Sequence, residues 1–211
     1  MTRVVRKLRG FTALALASLL WASPVAARQS TTVAKSIGPW SVSIFGGWEA
    51  TDGAIETAFR VVPKASERAD NFLGGAVSYQ LFHFWRDFTG ELEIGAGKHF
   101  PHSGALEGWT AVFFRYHGLP WRDRLIITLA ASTGLSYVDR LPYSEENATH
   151  EGNRPKSKLL HYFAPEIAFA LPESPQRELF VRLHHRSGVF GAFGGVHGGA
   201  DVVTLGYRLR F

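Results

Sequence analysis

From Trp40 to the carboxy terminus, apolar residues return at every second position in runs of about nine to fourteen residues, the period of a strand and not of a helix. The pattern predicts eight strands: Trp40 to Trp48, Phe72 to Trp85, Phe88 to Gly97, Trp109 to His117, Arg124 to Tyr137, Lys158 to Ala170, Arg177 to Ser187 and Asp201 to Phe211. The connections alternate in length. Residues 86–87, 118–123 and 171–176 are short, and residues 49–71, 98–108, 138–157 and 188–200 are long. An even strand count with short turns at one end and long loops at the other predicts an all-β fold, an eight-stranded antiparallel transmembrane β-barrel.

Parity along each strand separates the two faces of the wall. In the fifth strand Leu125, Ile127, Leu129, Ala131, Leu135 and Tyr137 share one face, and Arg124, Thr128, Ser132 and Ser136 share the other. Leu92, Ile94 and Ala96 oppose Glu91 and Glu93 in the third strand; in the sixth, Leu159, Phe163, Ile167 and Phe169 oppose Tyr162, Ala164 and Glu166. A soluble lipocalin-type barrel turns its apolar face inward. Here the carboxylates are better satisfied in the lumen, where Glu91, Glu93 and Glu166 can pair with Arg115, Arg182 or His184, because a carboxylate facing acyl chains costs several kcal/mol. Trp40 and Trp48 share a parity and are separated by roughly 20 Å along the membrane normal, enough to mark both interfacial belts. Trp85 and Trp121 are expected at the short-turn side and Trp109 at the long-loop side. The ending Thr204-Leu205-Gly206-Tyr207-Arg208-Leu209-Arg210-Phe211 resembles the carboxy-terminal targeting signature of bacterial outer-membrane barrels.

The amino terminus changes how the charge is read. Residues 1–27 hold a basic start, an apolar run from Phe11 to Ala22 and the small-residue end Val25-Ala26-Ala27, the three parts of a secretory signal. Cleavage after Ala27 is expected, and residues 28–211 form the barrel domain. Twelve apolar residues are too few to cross about 30 Å as a helix. The formal charge of +5 comes largely from Arg3, Arg6, Lys7 and Arg9; without them 19 basic residues face 18 acidic ones, and no basic stripe for nucleic acid remains. There is no cysteine, which excludes disulfides, thiolate metal sites and cysteine nucleophiles.

Candidate chemistry collects at the end of the seventh strand, Arg182-Leu183-His184-His185-Arg186-Ser187-Gly188. Leu179, Val181 and Leu183 have lipid-facing parity, so His185 and Ser187 continue on the outer face while Arg182 and His184 turn inward. Residues two apart on a strand point the same way with Cβ atoms about 6 to 7 Å apart, which lets an imidazole act as general base for the hydroxyl. On the eighth strand the lipid-facing parity of Phe211, Leu209, Tyr207, Leu205 and Val203 extends to Asp201. Because these strands form a hairpin, Asp201 can orient His185 near the same rim. An even strand count puts the loop from 188 to 200 on the extracellular side, so the three residues converge at the height of the outer leaflet, where lipid A is the ester they would meet.

This carboxy-terminal third resembles the lipid A 3-O-deacylases, eight-stranded outer-membrane barrels whose family motif is His-x-Ser followed by an acid on the last strand. The resemblance implies His185 as general base, Ser187 as nucleophile and Asp201 as the orienting acid, with lipid A as substrate and no metal or organic cofactor. Two positions depart from the family pattern. The family acid is a Glu about two residues closer to the serine, and Gly188 stands where the family has an Asn thought to help form the oxyanion hole. The backbone amides of Gly188 and its neighbours are then the expected donors. The alternative is a non-catalytic small outer-membrane barrel with an adhesion or envelope-stabilising role, acting through its long loops.

Overall fold

The computed structural model describes residues 37–50, 69–147 and 155–211. The expected leader and the loop segment 51–68 lie outside the described residues. Strands run in chain order as β1 Trp40–Glu49, β2 Asn71–Phe84, β3 Phe88–Phe100, β4 Leu106–Tyr116, β5 Ile126–Val138, β6 Leu159–Phe163, β7 Glu166–Ala170, β8 Arg177–Ser187 and β9 Gly199–Arg210, with one short helix, α1 Tyr143–Glu146, between β5 and β6. Every neighbouring pair is antiparallel, and β1 pairs with both β2 and β9, so the sheet closes on itself. The wall is an eight-stranded barrel, with β6 and β7 as two halves of the sixth strand.

The sixth strand departs from the continuous run expected between Lys158 and Ala170. Ala164 turns its N–H inward to Ser132 Oγ at 2.9 Å, and Pro165 has no N–H to give the ladder. Pro165 still accepts the Leu183 N–H at 3.0 Å. Register is unchanged across the break: Phe163 pairs with His185 above it and Glu166 with Arg182 below it. Side-chain parity therefore carries through, and the expected faces hold.

The connection expected over residues 98–108 is only 101–105, fewer residues than the 117–125 turn on the opposite end, because β3 and β4 stay paired as far as Lys98 and Leu106. Asp70 closes this tip. Its carboxylate accepts the backbone N–H of His102 at 2.7 Å and the N–H and Oγ–H of Ser103, and these donors hold it below the usual carboxylate range against the opposing cost of burial.

The lumen is filled in layers. At the short-turn half, Arg115, Arg182, Arg208 and Arg210 interlock with Glu91, Glu93, Glu166 and Glu178. Above them Phe45, Phe72, Trp109, Phe113 and Phe180 form an aromatic layer, with the Arg182 guanidinium over the Phe45, Phe113 and Phe180 rings. Eight strands leave a narrow interior. The rings fit because they lie on glycines: a Cβ on Gly95 would meet Trp109 at 2.1 Å, and one on Gly206 would meet Phe180 at 2.3 Å. Trp109 thus corrects the expectation that it marks an interfacial belt. Its parity matches Ala111, Phe113 and Arg115, it is buried, and its indole N–H donates to Glu93 at 2.9 Å. Nearest the long loops, Glu107 accepts from His99 Nε2, His184 Nε2 and Ser136 Oγ at 2.9, 2.9 and 2.6 Å. His184 therefore turns inward as its parity requires, but its carboxylate partner is Glu107 and none of the three acids named from the sequence.

The outer wall is apolar. Ile44, Leu73, Ile94, Leu129, Leu135, Leu179, Val181 and Leu205 all stand exposed on it, and Trp40, Trp85 and Trp121 gather at the short-turn end. Apolar outside and charged inside is the arrangement a bilayer requires of a closed barrel.

Candidate active site

The carboxy-terminal hairpin of β8 and β9 carries the three residues singled out in the sequence. His185 pairs in register with Asp201 across the hairpin, and both face outward. His185 Nδ1 donates to Asp201 Oδ1 at 2.6 Å, a short, charge-assisted contact between side chains 17% and 12% exposed. With Nδ1–H committed to the carboxylate, the lone pair of Nε2 is left free to take a proton. On the other side of His185 lies Phe163 of β6, also in register, its ring edge-on to the imidazole with centroids 6.5 Å apart. Phe163, His185 and Asp201 thus form one row across three strands.

Ser187 belongs to the next row. Its partners are His161 on β6 and Gly199 on β9. The serine is half-buried, and among the described residues its hydroxyl has no hydrogen-bond partner. The structure brings His185 and Asp201 into contact and puts Ser187 one row above them on the same face. Below the histidine the wall is apolar, with Leu183 and Val181 on β8 and Val203 and Leu205 on β9.

The loop after Ser187 revises the expectation about oxyanion donors. The Gly188 N–H is committed to Gly198 O at 3.1 Å, and Gly188 O accepts from Gly191 and Phe193. The Gly188 α-carbon faces Val196, where a Cβ would meet the carbonyl oxygen at 1.9 Å. An asparagine, the residue expected here from the resemblance, does not fit there without moving the loop. The following residues, Val189 and Phe190, hold left-handed backbone with φ of 46° and 53°, strained for a β-branched and an aromatic side chain. Among the described residues their N–H groups donate to no backbone carbonyl.

Sequence reasoning missed two features. His161 shares the outward parity of Leu159 and Phe163, and that same test, which drew attention to His185 and Ser187, would have found it. Glu145, on α1 in the long loop, reaches over the lumen mouth to Arg186, with Oε1 and Nε 2.8 Å apart in an ion pair whose N–H is not aligned for a hydrogen bond. Nothing in the local pattern signals that contact. Burial pushes the Glu145 carboxyl up to about 7, with the Glu107 and Glu49 carboxylates adding to the rise and Arg186 opposing it.

No family model matches the chain, and no curated protein matches it in sequence. Solved structures do match in fold. The crystal structure of the outer membrane enzyme PagL aligns with a TM-score of 0.57 at 15% identity, covering 81% of this chain and 99% of that one. Neisserial surface protein A aligns at 0.47 and 11% identity, covering 82% and 97%, and a de novo designed transmembrane β-barrel at 0.47 and 12%, covering 83% and 97%. At these identities the likeness is one of fold.

Proposed function

We propose that this chain is a lipid A ester hydrolase of the bacterial outer membrane, exported through a leader cleaved after Ala27, that removes a 3-O-linked acyl chain from outer-leaflet lipopolysaccharide. The observation that carries the reading is the 2.6 Å contact of His185 with Asp201 on the outer wall, with Ser187 on the same face one row away. Ser187 Oγ attacks the ester carbonyl carbon while His185 Nε2 takes its proton. The tetrahedral intermediate expels the sugar hydroxyl, which receives the proton from His185. Water, activated by the same imidazole, then releases the fatty acid from Ser187. Asp201 holds the ring in the Nδ1–H form and stabilises the imidazolium. The apolar wall of Val181, Val203 and Leu205 gives the acyl chain a surface continuous with the bilayer, whereas Leu183 is buried and offers it little. The 3-O position itself comes from the family resemblance alone; the PagL match supports the fold.

Mass spectrometry of lipid A from cells expressing the protein tests this. Loss of one 3-hydroxyacyl chain, abolished by Ser187→Ala and by His185→Ala, is the expected result; unchanged lipid A with folded barrel present refutes it. Sequencing the mature amino terminus checks the leader, with Arg28 expected first. A second reading, a non-catalytic barrel acting through its loops, is favoured by the hydroxyl of Ser187, which among the described residues no imidazole holds. It requires that Ser187→Ala be silent and that shortening the loop from Asp139 to Ser157 abolish function.

A further inference from the structure

Ser187 has two histidines within reach. His185 lies two residues along its own strand, and His161 lies directly across the β6–β8 pairing, on the same outward face. Directly opposed residues of an antiparallel pair have Cβ atoms about 4.5–5.5 Å apart, closer than neighbours two apart on one strand. The His161 ring is held from two sides. Its Nε2 is 2.9 Å from Thr133 Oγ1 on β5, and the Phe193 ring, brought over by the 188–198 loop, lies 6.0 Å from it, centroid to centroid. An imidazole on a lipid-facing wall, fixed by a hydroxyl and capped by an aromatic ring beside a serine unpartnered among the described residues, is placed for an interaction with whatever that serine attacks.

The chemistry defines the need it fills. A tetrahedral intermediate on Ser187 carries an oxyanion, and the first amide after the serine is already committed to Gly198. The geometry points to His161 as the oxyanion donor of this site. With the Thr133 hydroxyl taken as the donor to Nε2, the ring proton is on Nδ1, and that N–H, on the side nearer the backbone, is the donor to the substrate oxygen. As the Oγ–C bond forms, the carbonyl π pair moves onto that oxygen and the serine proton passes to His185. His161 gives a hydrogen bond but no proton, and the negative charge collapses back when the sugar oxygen leaves. His161 is then a catalytic residue and Thr133 a positioning residue. This rests on the esterase reading of Ser187, and the experiment separates the two.

The full-length protein in detergent is assayed on purified 3-O-acylated lipid A and, independently, for labelling of Ser187 by an alkyl fluorophosphonate, whose phosphonyl oxygen occupies the oxyanion position. His161→Ala is expected to lower kcat and the labelling rate by about 10²–10³-fold with KM little changed, the loss associated with one oxyanion donor. His161→Asn, whose amide nitrogen falls near the position of Nδ1 and which can donate but cannot act as a base, recovers part of that loss. Thr133→Val costs roughly 2- to 13-fold, the worth of one neutral hydrogen bond. Heat-modifiable migration verifies that each variant folds, and Asn at this position serves if Ala does not. Wild-type-like rates in His161→Ala overturn the inference and leave the Val189 and Phe190 amides as the donors. So does an asparagine variant with no recovery, since the histidine would then be acting as a base and not as a donor. A wild-type protein that neither labels nor hydrolyses fails the esterase reading itself, and this inference with it.

Discussion

Replacing Glu166 with glutamine removes one negative charge from the middle of the lumen and leaves the volume unchanged. Glu166 accepts from Arg115 Nη1 at 2.5 Å, from Arg182 Nε at 2.9 Å and from Arg208 Nη2 at 2.9 and 2.7 Å, and none of these side chains is exposed. In the surrounding cluster four arginines balance four glutamates, so Glu166→Gln leaves one uncompensated buried cation shared among three guanidinium groups. Removing one partner from a buried ion pair costs about 3–5 kcal/mol, because the remaining charge keeps its desolvation penalty. Each arginine retains a second carboxylate: Glu91 for Arg115, Glu93 for Arg182 and Glu178 for Arg208. That places the expected loss near the lower end, about 3 kcal/mol. Reversible urea unfolding of the barrel in detergent micelles measures it, read as a fall in midpoint with an unchanged m-value. A Glu166→Gln barrel within about 1 kcal/mol of wild type, the range of an exposed ion pair, refutes the claim that this network holds the lumen together.

Other perturbations probe the site. Asp201→Ala is expected to lower kcat on lipid A by about 10⁴-fold, against about 10⁶-fold for Ser187→Ala or His185→Ala, since a group that orients the base leaves more residual activity than the base or nucleophile itself; equal losses would give Asp201 a direct part in the chemistry. Gly188→Asn, which introduces the residue of the motif this hairpin resembles, is expected to lower activity and stability because its Cβ meets Val196 O, and a gain in rate would contradict that packing. Glu145 makes docking of α1 pH-dependent. Its carboxyl is raised from the ordinary 4.5 to about 7, so the docked loop binds the proton more tightly than the free one. Docking is then strongest below about 4.5 and weakens as pH rises through about 7. Limited proteolysis of residues 139–157 should speed up over that window, and Glu145→Gln should flatten the profile.

Parity was enough to read the wall. Each strand's two faces follow from alternation alone, and a slip of one residue would have put Glu91, Glu93 and Glu166 into acyl chains. What alternation does not carry is distance around the barrel. Trp109 reads as a belt residue because tryptophan favours interfaces, yet it is folded over Gly95 in a layer whose existence depends on glycines from other strands. Arg186 finds Glu145 in a loop 41 residues earlier, a contact set by closure of the wall and by no local pattern.

The position of the acid follows from the same distinction between sequence spacing and register. In the family pattern the acid stands about two residues nearer the serine than Asp201 does, and read along the chain that is a mismatch. In the hairpin the partner of His185 is set by how β8 and β9 pair, and Asp201 is that partner. Residues added between Gly188 and Gly198 are taken up by the turn, whose glycines and left-handed Val189 and Phe190 fold it back on Gly188. A turn longer or shorter by two residues changes the spacing of acid and serine by two, and with the same strand register leaves the acid opposite the histidine. The same folding commits the Gly188 amide and closes the space an asparagine side chain needs. Under the proposed esterase reading, the donor that the committed amide and an absent asparagine do not give is supplied from elsewhere on the wall. Across the ladder from Ser187, that place is held by His161.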